Sequence, residues 1–312
     1  MSENNQKPIF IIGCERSGTT LIRLILHSHP NIALPPQTKF LKKIYKRRLQ
    51  WRNLANEVNR IKLSHWFTDH FDNHTKLPDL GLEAGDIRKE IVSSATSLGA
   101  AATGVFKLYS RKFNKPRWGD KRPYYIKYLK QLLALFPDAQ IIHVVRDGRD
   151  CIASLMKMPW WKKDLAYTIL NWQEAIQEGK RANRSLPVEQ FIEIRYEDFV
   201  SHPEKWAREL CRFLGEKYNS DMLNFQEIAD IAVPDYKMPW HSATRKPISS
   251  TAIGRWQRDL EKWQVRLIEK TTGRELKEWG YGLSDANATI PLREQLKYYK
   301  GFVGYRLNRW FV

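Results

Sequence analysis

Residues 13–20 read GCERSGTT and follow the apolar run Ile9, Phe10, Ile11 and Ile12. Gly13 and Gly18 bracket a short loop whose small residues let backbone N–H groups come close to an anion. A helix opening near Thr19 would aim its positive end at the same point. Arg16 at the loop's entrance and the hydroxyls of Ser17, Thr19 and Thr20 add donors, so the chemistry on offer is the binding of a phosphate-like group. A second segment, residues 141–157, reads IIHVVRDGRDCIASLMK, again an apolar strand running into a helix. Arg146 closes that strand and Ser154 stands eight residues on, about two helical turns. Both can then face one anion at the carboxyl ends of parallel strands. The plainer account pairs Arg146 with Asp147 or Asp150 and leaves Ser154 on a helix surface.

The spacing of Gly13, Gly18 and Thr20 matches the triphosphate-binding pattern G-x-x-x-x-G-K-[ST], but Thr19 occupies the lysine's place. Without that lysine the loop does not reach for β and γ phosphates and suits a single terminal phosphate. With both loops in view the chain resembles the PAPS-dependent sulfotransferases, the group that includes tyrosylprotein sulfotransferases and many bacterial relatives. The resemblance covers residues 8–36, 117–157, 190–215 and 247–282. It implies 3′-phosphoadenosine 5′-phosphosulfate (PAPS) as sulfuryl donor, with Arg16, Ser17, Gly18, Thr19 and Thr20 at its 5′-phosphosulfate and Arg146 and Ser154 at its 3′-phosphate. In GDKRPYYIKYLKQLLALFPDAQ it carries Lys121 over as the lysine on the bridging oxygen. In IRYEDFVSHPEKWARELCRFLG it sets Tyr196 near the nucleotide, and in PISSTAIGRWQRDL it makes Ser249, Ser250 and Arg255 contacts of a closing loop.

One position departs from the family. Where the tyrosylprotein branch carries a glutamate that acts as general base, counting from Arg16 reaches Gln37, in LPPQTKF. A glutamine amide orients a hydroxyl but has no usable basicity near neutral pH. Three accounts compete: a binding-competent but slow enzyme, the one favoured here; another residue serving as base; or an acceptor acidic enough to need little help. His27, His29, His65 and His70 are the alternative bases, with His29, in a helix-ending His-Pro pair, better suited to a structural role.

Sulfuryl transfer asks for alignment and for neutralisation of charge on the leaving phosphate oxygen, which arginine, lysine and backbone N–H groups supply. The second strand ends in Arg146 rather than a magnesium-holding carboxylate, and no metal-ligand spacing is present, so no metal is expected. Two rivals stand beside this reading: a magnesium-dependent kinase-like phosphotransferase, disfavoured by Thr19, and a basic polyanion binder without catalysis. The cations match no nucleic-acid-binding module, so no specific nucleic acid is expected. The acceptor stays open among sugar hydroxyl, lipid, phenol and peptidyl tyrosine.

Fifty-two basic residues against 34 acidic ones give a formal charge of +18 over 312 residues, more than one nucleotide requires. The excess gathers with aromatics at 39–52, KFLKKIYKRRLQWR, and in the tail 283–312. Such segments draw in an anionic acceptor, lie on an anionic membrane, or rest against the domain with lysines in solvent. A mean hydropathy of −0.55 and no apolar run of membrane-spanning length exclude a membrane-embedded chain. The polar start MSENNQKP and three scattered cysteines, Cys14, Cys151 and Cys211, imply no leader and a cytoplasmic setting, with peripheral membrane contact left open.

Alternating patterns predict one α/β domain over 1–312, a three-layer α/β/α fold with a mostly parallel central sheet and a P-loop-like phosphate loop. Strands are expected near 8–12, 103–108 and 140–145 and within FIEIRYEDF. Helices are expected at 19–28, 124–136, 148–157, 164–183 and 203–214. Residues 38–100 form a helical insertion on the acceptor side, 234–254 a long loop over the nucleotide, and helices follow to about 279. Trp172, Trp206 and Trp256 are expected in the core.

Overall fold

The apolar run near the start of the chain forms β1 (Ile9–Gly13), buried at every residue. The strand's period of two splits it: Phe10 and Ile12 enter the core on one face of the sheet, Ile9 and Ile11 the core on the other. In the computed structural model, which describes residues 7–69, 77–226, 245–285 and 287–310 with Ile228, Ala232, Pro234 and Tyr236, β1 is the middle of five strands. The others are β2 (Ile32–Ala33), β3 (Arg117–Lys121), β4 (Gln140–Val145) and β5 (Phe191–Arg195). All neighbouring pairs are parallel, in the order β2-β3-β1-β4-β5. The chain crosses over β1 between β3 and β4, so the loops leaving these three strands face one crevice at their carboxyl ends.

The first helices are α1 (Thr19–Ser28), α2 (Phe40–Lys46), α3 (Glu57–Asp69), α4 (Ala84–Ser94), α5 (Leu98–Lys112) and α6 (Leu129–Leu135). Then come α7 (Gly148–Met156), α8 (Leu165–Ser185), α9 (Tyr196–Ser201), α10 (Pro203–Leu214), α11 (Trp256–Asp259), α12 (Lys262–Glu278) and α13 (Leu292–Trp310). Val105 of α5, Leu132 of α6 and Trp172 of α8 pack with Phe10, while Ile22 of α1 and Leu210 of α10 pack with Ile11. Helices therefore cover both faces, giving three layers.

Two expectations are corrected. Residues 103–108 lie inside α5 rather than in a strand: Ser97 accepts the N–H of Ala100 at 3.0 Å as a cap, the alanines favour helix, and Ala101, Val105 and Tyr109 fall on one buried face. The strand is instead RWGDK, polar in sequence yet buried throughout, because tertiary partners satisfy it. Arg117 donates to the carbonyls of Lys7 and Leu214 at 3.1 and 2.6 Å and pairs with Glu216 at 3.2 Å. The helix expected at 124–136 begins as a 3-10 segment, Pro123–Tyr128, and becomes α-helical only over α6.

The basic stretches rest on the domain. Phe40 and Ile44 are fully buried and Trp51 packs against the same core, while Tyr298, Phe302 and Tyr305 of α13 pack with Ala166 and Ile169 of α8. Trp172 and Trp256 are buried and Trp206 is partly so. The three cysteines are free and buried. Among the described residues no helix is long and apolar enough to cross a membrane. His70 and most of 235–244 lie outside the described residues.

Burial inside this scaffold sets a pH dependence. His27 is fully buried and accepts the Leu34 N–H through Nδ1 at 3.0 Å; burial, with Lys115 and Arg23 nearby, depresses it from 6.5 to about 2. The unfolded chain therefore takes up a proton between those values that the folded chain does not. Its contribution is complete above pH 6.5 and falls by about 1.4 kcal/mol per pH unit below it. Urea unfolding of the wild type and His27→Gln at pH 7 and 5.5 should show the wild type losing about 1 kcal/mol more than the variant; equal losses would refute the assignment.

Candidate active site

The loop after β1 is shaped by close approaches. Gly18 has φ +101°, and a Cβ there would meet the Tyr196 ring at 2.4 Å; Arg16, not a glycine, sits at φ +70°. That left-handed residue is a strained one held by its surroundings. Its Nε donates to Ser154 Oγ at 3.0 Å, and its carbonyl accepts from Arg146 Nη1 at 3.2 Å. The two segments singled out in the sequence are thus joined to each other at the ends of β1 and β4. Arg146 also donates through Nη2 to the Ala252 carbonyl at 2.5 Å, pairs with Asp150 at 3.4 Å and stacks its guanidinium 4.6 Å from the Tyr196 ring. The plainer pairing with Asp150 is therefore present alongside the convergence; Asp147 turns to Arg149 at 2.7 Å.

Lys121 ends β3, almost fully buried, and its Nζ donates to Thr20 Oγ1 at 3.2 Å. Its neighbour Asp120, wholly buried, accepts from Thr38 Oγ1 at 2.6 Å, Tyr125 Oη at 2.9 Å and the Lys121 N–H at 2.8 Å. Burial raises the Asp120 carboxyl above its ordinary value while these hydrogen bonds oppose the shift. Asp120 thereby ties the loop that carries Gln37 and Thr38 to the strand that carries Lys121.

A cavity of about 530 Å³ opens between these groups. Arg16, Gly18, Thr19, Thr20, Gln37, Lys121, Arg146, Ser154, Tyr196, Ser249 and Arg255 line it. Ser17 lies beneath, 1% exposed, and Ser250 is exposed and outside the lining. Arg255 shares Asp259 with Lys157, at 3.3 and 2.8 Å. Glu15, Asp150, Trp160, Lys246, Thr251 and Arg258 also line the cavity, and none of them was expected there. Asp150 was legible in the RDGRD run only as a partner of Arg146; it also accepts the N–H groups of Gly254 and Trp256, each at 2.9 Å, fastening the 247–256 loop over the cavity. For the others no sequence signal existed.

The electrostatics fit a polyanion. Burial, then the neighbouring Arg146 and Arg255, hold the Arg16 guanidinium below its ordinary value, as expected where cations gather without enough anions. Ser17 Oγ and Arg146 Nε are buried with no hydrogen-bond partner among the described residues. Orphaned donors of this kind are costly unless a ligand takes them up. Among the described residues no group of three or more His, Cys, Asp and Glu gathers as metal ligands would.

Three of the alternative bases are placed elsewhere. His27 is held neutral in the core, and His29 is 1% exposed, bonded to the Lys217 carbonyl at 2.8 Å and the Asn31 N–H at 3.1 Å. His65 lies on α3 beside Asp69 at 3.5 Å, outside the cavity lining.

Comparison with known proteins agrees with this geometry. The model of the Sulfotransferase family matches residues 8–220. A protein-tyrosine sulfotransferase of Drosophila melanogaster is 29% identical over 82% of this chain and 48% of its own length. Protein-tyrosine sulfotransferase 1 of Danio rerio is 26% identical over 80% of this chain and 65% of its own. The chain thus spans about half to two thirds of the length of these relatives. The sulfotransferase domain of the Curacin biosynthetic pathway aligns over 89% of this chain and 99% of that one, with TM-score 0.62 and 21% identity. The sulfotransferase domain of the Synechococcus PCC 7002 olefin synthase aligns over 89% and 97%, with TM-score 0.60 and 20% identity, so the fold is shared.

Proposed function

Because this chain belongs to the sulfotransferase family, we propose that its cavity binds PAPS and passes the sulfuryl group to an acceptor hydroxyl. The observation that carries this reading is the joining of two anion-binding loops, Arg16 to Ser154 and Arg146 to the Arg16 carbonyl, with Lys121 beside Thr20 in the same cavity. In this reading Thr19, Thr20 and the start of α1 hold the 5′-phosphosulfate. Arg146 and Ser154 take the 3′-phosphate, and Tyr196 packs beside the nucleotide. Lys121 meets the oxygen that carries charge when the S–O bond to phosphate breaks, the place where a preorganised cation lowers the barrier most. Gln37 orients the acceptor hydroxyl without removing its proton. Among sugar, lipid, phenol and tyrosyl acceptors, the names of the relatives favour a peptidyl tyrosine.

Calorimetric titration tests the donor site. Adenosine 3′,5′-bisphosphate (PAP) should bind one to one at moderate salt, and magnesium-ADP at least ~100-fold more weakly, since the Arg146 subsite has no phosphate to receive from ADP. Preference for magnesium-ADP would favour a kinase-like phosphotransferase. Salt-sensitive binding without saturation would favour the polyanion binder.

A further inference from the structure

If Gln37 cannot take the acceptor's proton, an un-ionised acceptor hydroxyl needs another base, and the structure narrows the choice. His27, His29 and His65 are absent from its lining. Among the described residues the carboxylates that line it are Glu15, Asp150 and Asp259. Asp150 is spent on two backbone N–H groups and Arg146. Asp259 accepts from Lys157, Arg255 and Arg258, which hold it below its ordinary value as a committed anion. Glu15 differs from both. It is half-buried on the cavity wall, one residue before Arg16, and accepts from Asn171 Nδ2 at 2.9 Å. Among the described residues that amide is the one hydrogen-bond partner recorded for its carboxylate. Asn171 is itself 1% exposed on α8 and also reaches Cys14 Sγ at 3.6 Å, so it is a fixed support. A carboxylate oriented by a buried neutral amide, facing a cavity that ends in a phosphate cradle, has the form of an acid–base group.

We infer that Glu15, positioned by Asn171, is the general base of this chain. The inference rests on the donor assignment made above. In the step it serves, the acceptor O–H proton passes to the Glu15 carboxylate. The acceptor oxygen forms a bond to sulfur while the sulfur's bond to the 5′-phosphate oxygen breaks, and that electron pair leaves with PAP, opposite Lys121. Glu15 returns the proton to solvent once the product has gone. Because the base stands on the phosphate loop itself, a glutamine at position 37 no longer implies a slow enzyme.

The test uses the full chain and radiolabelled PAPS, with transfer followed to a tyrosyl peptide, a simple alcohol, 4-nitrophenol and water, beside calorimetry with PAP. Glu15→Gln should cut transfer to the un-ionised hydroxyls by about 10²–10⁴-fold. The loss should be at least ~10-fold smaller for 4-nitrophenol, which ionises near neutral pH and needs no base. PAP affinity should stay within about threefold of wild type, which also shows that the variant is folded. Undiminished transfer by Glu15→Gln, an equal loss for every acceptor, or a gain of about 100-fold or more in Gln37→Glu would each overturn the inference. Failure of the wild type to bind PAP would overturn the donor assignment itself, and is told apart because it appears in the calorimetry before any variant is made.

Discussion

Lys121→Ala is expected to slow sulfuryl transfer by about 10²–10³-fold while PAP binding weakens by no more than about tenfold. The asymmetry follows from when charge develops. In the ground state the bridging oxygen of a phosphosulfate carries little charge, so on the proposed assignment the lysine would add little to binding; as the S–O bond breaks, that oxygen would become a phosphate anion beside the ammonium. The geometry is preorganised: Lys121 is 6% exposed at the end of β3, its N–H is bonded to Asp120, and Nζ is fixed on Thr20 Oγ1 at 3.2 Å. Single-turnover rates with saturating PAPS measure the effect. A change under about threefold, or a fall in PAP affinity as large as the fall in rate, would make Lys121 a binding residue rather than a catalytic one.

Arg146→Ala is expected to weaken PAP by about 2–5 kcal/mol, roughly 30- to several-thousand-fold in Kd. The cause is a desolvated charge pair. Arg146 is 8% exposed, its Nε has no partner among the described residues, and the 3′-phosphate would complete it. Adenosine 5′-monophosphate, which lacks that phosphate, supplies the control. Its affinity should change by less than about fivefold, so the variant should lose the preference for PAP rather than nucleotide binding as a whole. Equal losses for both nucleotides would assign Arg146 to holding the 252 loop through the Ala252 carbonyl and to no phosphate subsite.

What could be read from the chain depended on how local the cause was. The strand-to-helix unit Ile9–Ser28 and the strand Gln140–Val145 with its helix carry their own apolar periodicity and turn residues, and both form as expected. The strand Arg117–Lys121 carries no such signature. RWGDK looks like a surface turn until Leu214, Glu216 and Thr38 supply partners from distant parts of the chain. The same distance conceals the site's second ring. Asn171 lies 156 residues from Glu15, and Asp150 104 residues from Gly254, and nothing in either local sequence announces the pairing.

The sequence by itself determined the parallel α/β architecture, the glycine, arginine and hydroxyl spacing of the first loop, the arginine and serine of the second, and the absence of a carboxylate at position 37. These are properties of residue type and short-range spacing, which periodicity and backbone sterics translate directly into structure. Only the tertiary structure decided that the two loops meet, that the basic segments rest on the domain, and that Glu15, among the described residues, stands free of the cationic clusters that claim the cavity's other carboxylates. Those outcomes depend on which strands become neighbours, because a charge's role is set by the groups within a few ångströms of it in space.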